Sequence, residues 1–322
     1  MGKGSLFPIC QMSRNFGLGS RDMSRAGQTA LDRAAADREL SFSSAATNAE
    51  RWSLFTAFAK EQGINRMEHI TTGLVQQYGQ GLANQVEAGQ LAAATAQNRV
   101  SAVNSVMQLA TKQQWQSVSP TRDCGIAQRC AVRSESPAAL DRSVYNAAHG
   151  LVREQASVRS ASVVELAREL GLRSKEASLL DARSALAQAH KISFVTITEG
   201  TKGGRSRDVP ITSEKQLSAL SRAAEAQGSA RAVMAPEQDW KSWRNGELRD
   251  AREIVKSETG GGLHDLRAAY TCERYEQLTG NQAPVAGGEI RDRGSDLAAR
   301  EQISSELGHG RIDVVSEYIG GR

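Results

Sequence analysis

Cysteine is scarce in this chain: four in 322 residues, at Cys10, Cys124, Cys130 and Cys272. None forms a C-x-x-C, and no paired His/Cys spacing offers a zinc site. Isolated thiols fit a reducing cytosol. Long apolar runs are absent too. None approaches the roughly 18 residues that suggest a membrane-spanning helix. The N-terminal stretch carries Lys3 but neither an apolar segment nor a small-residue cleavage site, so no secretory signal is expected. Lysine runs are missing, there is no internal repeat, and no cluster of carboxylates is spaced to hold a metal ion. The expectation is a cytoplasmic protein that needs no metal, no cofactor and no membrane.

What remains is a mildly basic chain. The net charge is +4 and hydrophobic residues make up 39% of the sequence. The positive charge rests on arginine, the side chain suited to bidentate phosphate contacts. A nucleic-acid partner is permitted, though ordinary solvated surface gives the same composition. The length suits two domains, each able to bury a core.

Residues 1–40 break any period with Gly2, Gly4, Gly17 and Gly19. The run 23–40 has helical spacing but a thin apolar face, so residues 1–40 read as a flexible arm. From Ser41 the pattern firms. Ser44 or Thr47 can cap a helix with Trp52, Phe55, Phe58 and Ala59 on one face, ended by Gly63. Further helices fit residues 71–86, with Leu74, Val75, Tyr78 and Leu82 inward, and 95–114, with Val100, Val103, Val106, Met107 and Ala110 inward. Residues 41–118 thus form a small all-helical domain. Arg51, Lys60, Arg66, Arg99 and Lys112 on its outer face can track a DNA backbone. Residues 119–136, with Pro120, Gly125 and the arginines Arg122, Arg129 and Arg133, read as a basic linker.

The second domain, 137–322, is mainly helical with one β-hairpin. Residues 192–198 are rich in Phe, Val, Ile and Thr and read as a strand. A turn-like run from Glu199 to Arg207 follows, with Lys202, Arg205 and Arg207 at its basic tip, and the chain returns through Asp208-Val209-Pro210-Ile211. Helices fit 138–151, 160–170, 214–227, 243–256, a segment opening at Leu263-His264, 297–307 and 312–318.

Chemistry concentrates in this half. His264 and Arg267 are three apart on a helix and share a face. Arg173 follows a Gly-Leu break at a helix start, where backbone N–H groups favour an anion; an ion pair with Glu176 would orient it. Lys202 lies near glycines at the hairpin tip. His309 follows Gly308 at the expected start of the 312–318 helix, and Tyr318 comes nine residues later. Each has an ordinary explanation: core packing, a surface ion pair, a solvated turn, a cap. Together they fit phosphodiester chemistry. Two arginines bind the nonbridging oxygens and stabilise a pentacoordinate transition state. Two histidines and a lysine move protons. The phenol of Tyr318 attacks and holds the bond energy as a phosphotyrosine.

This ordered set resembles the tyrosine recombinase (phage integrase) family over about residues 41–318. Gly171-Leu172-Arg173-Ser174-Lys175-Glu176 is similar to the family's first-arginine motif, including its acidic residue. Lys202 matches the hairpin lysine, His264-Asp265-Leu266-Arg267 the His-x-x-Arg box, and Leu307-Gly308-His309 with Tyr318 the terminal motif. The resemblance implies an N-terminal SAM-like helical core-binding domain and a mixed, mainly α catalytic domain, closing as a C-shaped clamp on DNA. It implies site-specific strand exchange through a 3′-phosphotyrosyl intermediate. The partners would be double-stranded attachment sites and three further protomers in a synaptic tetramer, with room for a directionality factor, in the cytoplasm at the nucleoid. Arg173, Lys202, His264, Arg267, His309 and Tyr318 would be catalytic, Glu176 supporting, and Arg99, Arg122, Arg205 and Arg207 DNA contacts.

The stretch Asn15–Ser20 and the Gly-Gly-Arg ending look similar to integrases of genomic islands and conjugative elements. Two departures stand out. The chain runs four residues past Tyr318, where many relatives continue with a helix that docks into a neighbour. The interval from Arg267 to Tyr318 is long, with the excess near 279–298, where Arg291 and Arg293 can add contacts. Two other readings stay open: a catalytically degenerate DNA-binding accessory protein, and a type IB topoisomerase-like enzyme sharing the chemistry.

Overall fold

The computed structural model describes residues 14–321. Cys10, Lys3, Gly2 and Gly4 lie outside the described residues. The chain divides into two compact units with the boundary between Cys130 and Ala131.

Among the described residues the first unit is built from four α-helices, α1 (Met23–Ala36), α2 (Phe42–Glu61), α3 (Thr72–Glu87) and α4 (Ala93–Ala110). Ser41 and Thr71 cap α2 and α3 by accepting from the N–H groups of Ser44 and Leu74. The cap of α2 is therefore Ser41, not Ser44 or Thr47. Trp52, Phe55, Val75, Val100, Val103 and Val106 form its core, as their spacing predicts.

The arm expected over residues 1–40 is corrected for its second half. Helix α1 belongs to this core, with Met23 and Leu31 fully buried. The apolar face is thin because it is made of alanines and Gly27. Small residues let the helix approach closely: a Cβ on Gly27 would sit 2.1 Å from Trp52 Nε1. The same Trp52 Nε1 donates to Met23 O at 2.9 Å. The linker expected at 119–136 is divided as well. Val118, Cys124 and Ile126 are buried in the first core, and Arg133 belongs to the second unit.

The second unit holds α5 (Arg142–Gln155), α6 (Val158–Glu169), α7 (Ser174–Leu179), α8 (Ala182–Ile192), β1 (Phe194–Ile197), β2 (Arg207–Pro210), α9 (Glu214–Gln227), α10 (Trp240–Asn245), α11 (Glu247–Thr259), α12 (Leu263–Thr279), α13 (Arg293–Glu306) and α14 (Ser316–Ile319). It is mainly helical with one small antiparallel hairpin, in which Val195 pairs with Val209 and Ile197 with Arg207.

Helix α12 organises this unit. Leu263, Leu266 and Ala269 face the larger core, whereas Ala268, Cys272 and Tyr275 face a second core with Ile303, Val315 and Ile319. A helix walled on both sides buries most of its side chains, including charged ones. Arg267 is therefore buried, and so is Arg274, which pairs with Glu306 at 2.8 Å.

Candidate active site

The site forms from four segments that meet at the N-terminal half of α12, which is one of them. The first is the turn before α7. Gly171 adopts φ +63°, and a Cβ there would lie 2.4 Å from the Tyr270 ring, so glycine is required. The turn presents Arg173 as the N-cap of α7. Glu176, fully buried, accepts from Arg173 N and Arg173 Nη1, both at 2.7 Å. Burial alone would raise the Glu176 carboxyl, but the hydrogen bonds and charge of Arg207, then Arg173, hold it below the usual range.

The second segment is α12 itself. Arg267 is 1% exposed. Its Nη1 donates to Gly171 O, its Nη2 donates to Leu307 O at 2.7 Å, and its Nε lies 3.4 Å from Tyr318 Oη. Burial lowers this guanidinium to about 10, which still leaves it cationic at neutral pH. His264, one turn earlier, keeps an exposed edge and stands 5.0 Å from the Tyr318 ring centroid. Burial of its inner side, then the charges of Arg267, Arg133 and Arg173, pushes its imidazole below the usual range.

The third segment is the turn after α13. His309 does not open a helix, as its spacing from Ile312 had suggested; it follows one. Gly308 takes φ +68°, its N–H donates to Ser305 O at 2.9 Å, and His309 N–H donates to Ser304 O at 2.8 Å. This is a Schellman ending, which needs glycine at the left-handed position. It aims His309 Nε2 at Tyr318 Oη, 3.1 Å away. Arg267 Nη2 lies 3.5 Å from the same nitrogen. A guanidinium N–H can only donate, so Nε2 is best left bare as the acceptor. Burial, then the charges of Arg267, Arg173, Arg207 and Lys202, lowers His309 to about 4, so the ring is neutral at neutral pH and has one nitrogen free to accept.

The fourth is the C-terminal segment. Tyr318 on α14 is 2% exposed, with the Arg267 guanidinium 5.6 Å from its ring centroid. Arg300 holds the chain beyond it by donating to Gly320 O and Gly321 O at 3.3 and 3.2 Å.

Arg173, His264, Arg267, His309, Tyr318 and Glu176 thus come together. Lys202 is exposed on the β1–β2 loop, near enough for its charge to act on His309. Arg205, also exposed, reaches the Gly310 turn: its Nη1 is 3.1 Å from where a Gly310 Cβ would stand. Arg99 is half-buried on α4. Arg122 is exposed and bonds the neighbouring Asp123 at 2.9 Å.

Arg207 is a correction. Expected as a DNA contact, it is buried, and every arm of its guanidinium is used: Nε donates to Glu306 O at 2.8 Å, and Nη1 and Nη2 donate to Glu176 at 2.7 Å each. The strand alternation carried the signal, since residues 207 and 209 share a face and Val209 belongs inside. Arg133 was missed as a site neighbour. It pairs with Asp265 beside His264, and its backbone N–H donates to Ser316 O at 2.9 Å. No periodic pattern surrounds it in sequence, so nothing there announced these contacts.

The second unit is thus mainly helical with a small hairpin, and it holds a buried phenol among arginines and histidines. Residues 127–273, which fall almost wholly in the second unit, match the model of the integrase family. No curated protein matches the chain by sequence. Solved structures share the fold at low identity. The lambda integrase fragment 75–356, as a dimer on a COC′ core site, superposes with a TM-score of 0.57 at 15% identity, covering 91% of this chain and 95% of that one. XerH recombinase bound to palindromic difH gives 0.58 at 16%, covering 92% and 80%. The Tn1549 transposon integrase with transposon right-end DNA gives 0.56 at 11%, covering 92% and 95%.

Proposed function

We propose that this protein is a site-specific DNA recombinase that cuts and rejoins strands through a 3′-phosphotyrosyl intermediate, integrating or excising a mobile element. The observation that carries the reading is the Tyr318 phenol set 3.1 Å from His309 Nε2 and 3.4 Å from Arg267 Nε. A phenol in water ionises near 10. A bare imidazole nitrogen at hydrogen-bond distance offers the proton a place to go as the phenol attacks.

In this reading Tyr318 Oη attacks the phosphorus of one phosphodiester. The bond to the 5′ oxygen breaks, and the departing alkoxide takes a proton from Lys202. Arg173 and Arg267 bind the nonbridging oxygens in the transition state, and His264 donates to one of them. Reversal with a different 5′ hydroxyl joins a new strand. The solved relatives include a lambda integrase tetramer bound to a Holliday junction. By the same logic four copies of this chain act on two double-stranded sites.

The test is covalent capture. Incubation with a duplex that the protein enriches from a randomised pool, nicked so that the cut end diffuses away, leaves a protein–DNA adduct resistant to denaturant. Tyr318→Phe abolishes the adduct and leaves DNA binding within a few-fold. Adduct persisting in that variant means another nucleophile. DNA binding with no adduct from the unaltered chain favours a non-catalytic accessory protein instead.

A further inference from the structure

We propose that Arg207, buried at the foot of the hairpin loop, is a positioning residue for strand transfer: it completes the hydrogen bonding of Glu176 so that Arg267 stays available to a phosphate, and it sets the height of the His309 turn. This rests on the strand-transfer reading above.

The argument begins with the lone pairs of one carboxylate. An ionised glutamate offers about four acceptor sites. Glu176 Oε1 accepts from Arg173 Nη1 and Arg207 Nη1, and Oε2 accepts from Arg173 N and Arg207 Nη2, all at 2.7 Å. The four sites are filled. Arg267 Nη1 stands 3.8 Å from Oε2, an ion-pair distance without a hydrogen bond. Arg207 therefore occupies the positions that would otherwise draw Arg267 off Gly171 O, Leu307 O and the phenol. One buried carboxylate also faces three guanidiniums. The surplus positive charge is what an incoming phosphate would neutralise, and Arg267 is the guanidinium that borders the phenol.

The third arm of Arg207 acts on a different segment. Nε donates to Glu306 O, in the last turn of α13, at 2.8 Å. The side chain then runs directly under Gly308, where a Cβ would lie 2.8 Å from Arg207 Cδ. The next residue is His309. Arg207 also begins β2, so it anchors the end of the loop bearing Lys202 and Arg205. A planar fork with a donor at each prong can hold Glu176 and Glu306 O at once; an ammonium cannot.

Arg207→Lys keeps a positive charge beside Glu176 and removes the fork. Its adduct formation on the nicked duplex, measured in single turnover at saturating protein, is expected to fall at least tenfold. DNA affinity and melting temperature should stay near those of the unaltered chain, and the pH profile of the rate should shift because the His309 turn moves. Arg207→Gln combined with Glu176→Gln removes both charges and keeps a polar pair. It should show the same slow capture, which separates positioning from the cost of an unpaired buried charge. Capture at the original rate in both variants overturns the proposal while leaving the recombinase reading intact. Loss of DNA binding and helical signal in both overturns it as well, since the role would then be structural. An unaltered chain that forms no adduct removes the recombinase reading, and this proposal with it.

Discussion

At His309 burial and neighbouring charge act together against ionisation. Its imidazole is lowered from 6.5 to about 4, by burial first and then by Arg267, Arg173, Arg207 and Lys202. The sign of the stability effect follows. In the unfolded chain His309 takes up a proton as pH falls through about 6.5, whereas the folded chain resists until near 4. The unfolded state thus binds more protons over that window, and stability falls as pH is lowered from 6.5 towards 4. His264, pushed the same way, adds to the loss. Urea denaturation at pH 7 and pH 5 should show the midpoint dropping for the unaltered chain and dropping less for His309→Gln; equal drops would mean that His309 is not held neutral. At this scale the sequence was legible where a residue's chemistry is rare and its neighbours are local. Arg173 with Glu176, and His264 with Arg267, lie within one helical turn of each other, so spacing alone put them together. Arg207 and Arg133 were misread or missed because their partners lie far along the chain, at Glu176, Glu306 and Asp265.

At the scale of elements, long periodic helices and the hairpin were readable, and turns and short helices were not. Residues 214–227 form α9 at the expected bounds, since Ser213 provides a capping box and apolar spacing does the rest. Helix α8 went unseen because its inward face is only Ala182, Ala185 and Ala189, too small to mark a period. The 312–318 helix is a 3-10 turn at Ile312–Val315 followed by the short α14. The Schellman ending at Gly308 is the element on which most depends, because it both stops α13 and aims His309. Gly308→Ala must force a left-handed alanine, worth about 1 kcal/mol, and press a Cβ against Arg207 Cδ. We expect a stability loss of about 1–2 kcal/mol in urea melts together with slowed adduct formation. Gly280→Ala is the control. It ends α12 at φ +69° with nothing within 4 Å of a Cβ, so it should cost similar stability and leave the rate alone. If both variants slow capture equally, the turn has no special role.

At the scale of the whole molecule, fold class and family were open to reading because four motifs recur in order, and order survives even where each motif is common. The N-terminal boundary was not readable, since alanine-rich α1 earns its place by close approach to Trp52 rather than by large apolar side chains. The net charge of +4 is modest for the DNA-binding role proposed above. Many arginines are also spent internally, as Arg168 and Arg142 are on Glu273 and Arg300 is on Asp296. Affinity must then rest on the exposed remainder, and salt dependence can count it. Each phosphate neutralised contributes a slope of roughly −0.9 in log K against log salt. Arg205→Gln, on the exposed loop, should weaken binding uniformly across sequences and flatten that slope by about one. Arg207→Lys, two residues on and buried, should leave the slope unchanged. Equal flattening by both would place Arg207 on the DNA after all, and the separation between one arginine that meets the backbone and one that holds the site in register would be lost.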